Sequence, residues 1–173
     1  MSSTVALPGT TFAAVRTLGR RRSSSPSLPL IDTAALTRDL AAIRALPDWL
    51  FVERSPFGFV DQVAVAPSAI IAITARYHVA LSGDAHVQRA WKAIRDAKGT
   101  AALMKQMLGP DAPEVTPVLV LSGPGAPELA DGHMLIKGVR VVDAQRPELW
   151  SHLFTTPVLS PLERRRLAKS LQL

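Results

Sequence analysis

Asp61, Thr74, Arg76 and His78 are the residues of this chain whose types and spacing could do chemistry. Thr74, Arg76 and His78 alternate along one apolar segment, and Asp61 opens the apolar segment before it. Because side chains alternate between the two faces of a β-strand, the three alternating residues share one face. Asp61 is the one carboxylate that the neighbouring segment can place beside them. A lone carboxylate beside an arginine favours an ion pair over a bound metal, so we expect Asp61 and Arg76 to pair.

The segment from Asp61 to His78, DQVAVAPSAIIAITARYH, predicts the scaffold that carries these residues. It reads as two strands, roughly 59–66 and 69–77, joined by a tight turn at Pro67 and Ser68. Both strands are almost continuously apolar, which predicts a sheet that is covered on both faces.

The same segment resembles the core of the NERD (nuclease-related) domain, a family in the restriction-endonuclease-like group. In that family it runs roughly Asp-His-Val-Val-Val-Gly-Pro-x-Gly-Val-Phe-Val-Ile-Glu/Asp-x-Lys. The positions that fit this pattern are Asp61, Val63, Val65, Pro67, Ile70 and Ile73. The resemblance implies an α/β fold with a restriction-endonuclease-like core, in which a mixed central sheet is flanked by helices.

The resemblance also implies a metal-dependent centre, part of which this sequence lacks. Members of the group hydrolyse phosphodiesters with Mg²⁺ held by carboxylates, which neutralises phosphate charge and activates the attacking water. The family's second carboxylate falls on Thr74 and its lysine on Arg76. Asp61 is then the one family position left as a metal ligand, so either Mg²⁺ binds there or the protein has no cofactor.

The resemblance implies DNA processing as the functional context. The leading interpretation is a nuclease-related domain with a degenerate metal site, in which Asp61, Thr74 and Arg76 occupy the former catalytic positions. Such a domain would act as a nucleic-acid or protein interaction module, with DNA, a protein partner or an oligomer as its partner. The nucleic-acid contacts expected of it are Arg76, His78, Arg20, Arg21 and Arg22.

Two other interpretations stay open. One is an active Mg²⁺-dependent nuclease with a relocated carboxylate, for which Asp84, Asp96, Asp39 and Asp32 are candidates, and Gln88 is a further candidate to contribute to the site. The other is a plain α/β domain without a nucleic-acid role.

Length and composition set the outer limits of the fold. The 173 residues, 47% of them hydrophobic, are enough for one domain at 31–173 preceded by a disordered Ser/Pro-rich arm at 1–30. Four of the six net positive charges lie in the arm, which includes Arg20, Arg21 and Arg22. Cysteine is absent, which excludes disulfides and thiolate chemistry.

Composition also bears on where the protein works. No apolar run approaches the ~20 residues that cross a bilayer, so no membrane partner is expected. Arginine outnumbers lysine 15 to 5, which suggests a GC-rich bacterial source. A cytoplasmic location is expected on these grounds.

The remaining elements follow from periodicity and from stop signals. The pattern predicts a first helix that begins with Asp32 as N-cap and runs to Leu46, and then a strand at 50–54. It also predicts a central strand at 115–123, one or two strands in 134–143 and a short helix from Glu148 to Phe154. Ser160, Pro161 and Glu163 predict the start of a last helix through a capping box.

The stretch 77–90 has two interpretations: a hairpin around Ser82-Gly83-Asp84, or a helix that begins at Asp84. The hairpin is favoured because the resemblance places one there. A helix at about 91–108 then follows, which has on one side Trp91, Ile94, Ala101, Met104 and Leu108.

Overall fold

The computed structural model describes residues 33–53, 57–77, 84–123, 129 and 131–172. The predicted arm, with Arg20, Arg21 and Arg22, lies outside the described residues, and so does His78. The helices are α1 (Thr33–Arg44), α2 (Asp84–Leu108) and α3 (Pro161–Ser170). The strands are β1 (Leu50–Val52), β2 (Gln62–Val65), β3 (Ile70–Tyr77), β4 (Val115–Ser122), β5 (His133–Ile136) and β6 (Val139–Asp143).

The strands form one six-stranded sheet in the order β1-β2-β3-β4-β6-β5. β3, β4 and β6 run parallel to one another in the middle, while β1, β2 and β5 pair antiparallel at the two sides. The predicted α/β class with a mixed sheet flanked by helices is confirmed.

The predicted pairing of the two strands in Asp61–His78 is confirmed. β2 and β3 are antiparallel neighbours, and Val65 lies opposite Ile70 across the turn. The turn closes through the amide of Ala66, which donates to the carbonyl of Ala69 at 3.0 Å. The carbonyl of Pro67 accepts from the amides of Val158 and Leu159 at 3.0 and 2.8 Å, which ties the turn to the C-terminal segment.

Both faces of the sheet are covered, as the apolar strands predict. Alternate residues of β3 pack on opposite sides: Ile71 and Ile73 face α1, while Ile70 and Ala72 face α2 and α3. The α1 side is completed by an aromatic group in which Trp49 contacts Trp150 and Phe154 edge-on. The α2 side is completed by small residues of the helix, which let it approach the sheet closely, namely Ala93, Ala97 and Ala101.

The hairpin predicted for 77–90 is wrong over its described part, because Asp84 begins a helix that continues without interruption to Leu108. The physical reason is topological. β3 and β4 are parallel, and a parallel pair needs a long crossover that returns the chain to the starting edge of the sheet. The 25-residue α2 supplies it.

The C-terminal third matches its predictions in outline. The segment 134–143 contains two strands, joined by a two-residue turn at Lys137 (φ 50°) and Gly138 (φ 83°). The short helix predicted from Glu148 is two 3-10 turns, Pro147–Leu149 and Ser151–Phe154. α3 begins with the predicted capping box between Ser160 and Glu163.

Candidate functional site

Asp61 and Arg76 meet at the end of β3, as the sequence predicts. Arg76 Nη1 lies 3.1 Å from Asp61 Oδ2, and the same oxygen accepts from the amide of Ala75 at 2.7 Å. Arg76 Nη1 also donates to the carbonyl of Ala75 at 2.7 Å. The carboxylate is therefore engaged by a backbone amide and by a guanidinium, and both charged side chains remain partly open to solvent.

Thr74 lies on the same strand, but it is enclosed. Only 4% of its surface is exposed, and it shares the α2 side of β3 with Ile70 and Ala72. A threonine hydroxyl carries no charge, so this position gives Asp61 no second carboxylate. The arrangement is therefore an ion pair between Asp61 and Arg76 without a second carboxylate from Thr74.

Two of the four candidates for a relocated carboxylate, Asp39 and Asp96, have other partners. Asp39 on α1 accepts a hydrogen bond from the hydroxyl of Ser122. Asp96 on α2 pairs with Lys92 at 2.9 Å. The side chain of Asp84 and all of Asp32 lie outside the described residues. Within the described part of the chain, no three His, Asp or Glu side chains are grouped as a metal site.

A second feature, which the sequence reasoning missed, is a basic groove along the first half of α2. It has a volume of about 690 Å³ and runs between α2 and the turn that joins β5 to β6. Five cationic side chains line it, and none of its lining residues is acidic. The lining residues are Gln88, Arg89, Trp91, Lys92, Ile94, Arg95, Lys98 and Lys137.

Trp91 lies in the middle of this basic groove and is 40% exposed. The Lys137 ammonium lies over the indole, with Nζ 4.7 Å from the ring centroid. Ala93 and Ile94, which follow it on the helix, are buried, so the helix packs on the sheet at these residues while Trp91 stays exposed. The sequence groups Trp91 with Ile94 and Met104 on one side of the helix, but Trp91 differs from those two in being exposed.

One signal for the groove was present in the sequence. Arg89, Lys92, Arg95 and Lys98 recur at every third position, and in a helix residues three apart are neighbours, so the four cations form one continuous row along the helix surface. The predicted hairpin over 77–90 removed Arg89 from that helix and hid the pattern. Lys137 could not have been found this way, because only the position of β5 and β6 beside α2 brings it to Trp91.

The fold and these two sites define the class of the protein as an α/β domain with a mixed open sheet, a paired acid and arginine at one strand end, and a basic groove on one helix. Comparison with protein-family models, with curated proteins and with solved structures gave no match. None of these comparisons bears on the likeness to the NERD family, which stays a prediction from the sequence and is sharpest over Asp61–His78. None of the described helices combines the length and the apolar character needed to span a membrane.

Proposed function

We propose that this protein binds nucleic acid through the basic groove on α2. The observation that carries the proposal is the convergence of five cations and a partly exposed tryptophan in one groove without an acidic lining residue. Cations attract the phosphate backbone, and an accessible indole offers a surface on which a base can stack. On this part of α2, the carboxylate of Asp96 pairs with Lys92 and offsets the charge of that cation.

The same proposal assigns the protein to a restriction-endonuclease-like, NERD-type core whose cleavage centre is degenerate. Two features support it. The guanidinium of Arg76 pairs with the carboxylate of Asp61, and a buried Thr74 lies where the family carries its second acid. A carboxylate already neutralised by a guanidinium has little attraction left for Mg²⁺. The protein then works as a binding module in the bacterial cytoplasm, with DNA or RNA as its partner.

The binding half is tested by titrating the full-length protein with fluorescently labelled duplex and single-stranded oligonucleotides at several salt concentrations. If all five groove cations contact phosphates, the affinity for a single strand should fall about 100-fold between 50 and 200 mM salt. Changing Arg95 and Lys98 to Gln should lower the slope of log K against log salt by about 1.4. Absence of binding to any oligonucleotide refutes the proposal.

A matched control comes from the opposite side of the sheet. Arg38 is an exposed arginine on α1, so Arg38→Gln removes the same charge without touching the groove. It should leave the salt slope unchanged. If Arg38→Gln and Arg95→Gln lose the same amount of affinity for the oligonucleotide, net charge and not the groove determines binding.

The degenerate centre is tested by incubating the protein with DNA and RNA in the presence of Mg²⁺ or Mn²⁺. We expect the substrates to stay intact. Metal-dependent cleavage that disappears in Asp61→Ala would overturn this half of the proposal and favour the active nuclease with a relocated carboxylate.

A further inference from the structure

We infer that the groove selects single-stranded nucleic acid, with a base stacked on Trp91 and the adjoining phosphate paired with Lys137. This inference rests on the proposed nucleic-acid function and adds the class of ligand. Cations alone suffice to hold a duplex, because its phosphates face outward and its bases are stacked on one another. An aromatic ring among the cations is useful only to a strand whose base faces are free.

The position of Trp91 supports this assignment. A partly exposed indole keeps a flat apolar surface open to the solvent, and such a surface can accept a stacked base. Here the sheet is covered by Ala93, Ile94 and Ala97, which are all buried, while Trp91 keeps 40% of its surface exposed. Its ring is covered on the groove side by the single ammonium of Lys137.

Lys137 provides an independent observation. It adopts φ 50° in the β5–β6 turn, a backbone conformation that favours Gly, Asn or Asp over a lysine. A two-residue hairpin turn requires φ > 0 at both of its central residues, so the turn itself fixes the backbone of Lys137. From this position the side chain reaches Trp91, and Nζ lies 4.7 Å from the ring centroid.

The two residues together can serve one nucleotide. In the free protein the ammonium of Lys137 lies over the indole of Trp91 and makes a cation–π contact with it. A base that arrives on that face displaces the ammonium, which can then pair with the phosphate of the same nucleotide at short range. The exchange loses one contact and gains two, whereas a duplex offers the ammonium a phosphate but offers the indole no base.

The test uses the tryptophans themselves. The chain has three, and Trp49 and Trp150 are only 7% and 0% exposed, so a short oligothymidylate should quench the fluorescence of Trp91 selectively. In Trp91→Ala, single-strand affinity should fall about 5- to 100-fold while affinity for a duplex of equal length stays unchanged. Trp91→Phe should keep most of the affinity and lose the quenching.

Lys137→Ala separates the roles of the two residues. It should lower the salt slope for the single strand by about 0.7 and leave the quenching of Trp91 in place. Leu103→Ala is the matched control, because Leu103 is a 44% exposed apolar residue of α2 that does not line the groove. It should change neither affinity nor quenching.

The outcomes distinguish this inference from the proposed function. If the duplex and the single strand bind alike, and Trp91→Ala weakens both equally or neither, the single-strand inference fails while nucleic-acid binding by the groove stands. If no oligonucleotide binds, the proposed function fails and the inference fails with it.

Discussion

The Asp61 carboxylate joins the start of β2 to the end of β3: its Oδ2 lies 2.7 Å from the amide nitrogen of Ala75 and 3.1 Å from Arg76 Nη1. Ala75 comes two residues after Ile73, which is the last residue of β3 paired with β2. The side chain thus continues the ladder where backbone pairing stops. An acid that could have served as a metal ligand has a structural role in this protein.

Asp61→Ala should lower the free energy of unfolding by about 1–3 kcal/mol, because the partly buried amide of Ala75 loses its acceptor. Arg76→Gln should cost less than about 1 kcal/mol, since both charged side chains of the pair are more than a third exposed. Urea denaturation of the two variants measures the difference.

Asp61→Asn is the control for this prediction, because its side-chain carbonyl can still accept from Ala75 while its charge is gone. It should be more stable than Asp61→Ala. If Asp61→Asn and Asp61→Ala unfold at the same urea concentration, the charge of Asp61 and not its hydrogen bond holds the strand ends.

The scaffold of this pair could be predicted from the sequence because its signals are local. A Pro-Ser turn between two short and almost continuously apolar segments predicts β2, β3 and their pairing without reference to the rest of the chain. The capping box of α3 is equally local. Asp61 and Arg76 could be placed together because a short turn fixes the register of the two strands that it joins.

The start of α2 and the basic groove could not be predicted in the same way. The Ser82-Gly83-Asp84 signal suits either a turn or a helix start, and these residues by themselves do not decide between them. Trp91 is a large apolar residue of a type that is common in protein cores. Only the fold shows that alanines and Ile94 cover the sheet in its place. Local signals thus determine the elements, while long-range pairing determines which side of an element is free.

Ser122 and Asp39 form the next testable contact. Ser122 is fully buried at the end of β4, and its hydroxyl donates to Asp39 Oδ2 on α1. Ser122→Ala should lower the free energy of unfolding by about 1–3 kcal/mol, because the half-buried carboxylate of Asp39 loses a hydrogen bond that water can replace only in part. Thermal and urea denaturation measure the loss.

The double variant Ser122→Ala with Asp39→Ala completes a cycle with the two single changes. The two losses should not add, because either change alone removes the same contact. Additive losses would show that α1 is held to β4 by its apolar residues alone.

Glu163 gives a prediction about pH. Hydrogen bonding by the side chain of Ser160, then by its backbone amide, holds the pKa of Glu163 below its ordinary value of 4.5, and the charge of Arg166 acts in the same direction. A carboxyl whose pKa is lower in the folded state stabilises the fold above its unfolded pKa, and this contribution is lost as the pH falls through the folded pKa.

Glu163→Gln should therefore destabilise α3 at neutral pH, and the difference from the parent protein should shrink as the pH falls below about 4.5. Urea denaturation across this range measures it. In a Ser160→Ala background the effect of Glu163→Gln should be smaller at neutral pH, because the hydroxyl of Ser160 no longer contributes to the capping box. A difference that stays constant across the acid range would contradict the prediction.

Gly132 and Gly99 form a matched pair in which the same change should have opposite signs. Gly132 adopts φ +69°, and an added Cβ would lie 2.6 Å from Leu149 Cβ, whereas a Cβ on Gly99 would meet nothing within 4 Å. Gly132 also holds β5 beside β6, because its carbonyl accepts from the amide of Asp143 at 2.9 Å. Glycine is thus required at position 132 by its conformation and by the space beside Leu149.

Gly132→Ala should lower the free energy of unfolding by about 2 kcal/mol or more, because left-handed strain and a side-chain clash act together. Gly99→Ala should raise it by about 0.5–1 kcal/mol, since alanine is the better helix former at an open position within α2. Urea denaturation of both variants provides the measurement. A Gly132→Ala protein as stable as its parent would mean that Leu149 and its 3-10 turn can move away from β5, and the packing of that turn on the sheet would then not be fixed by Gly132.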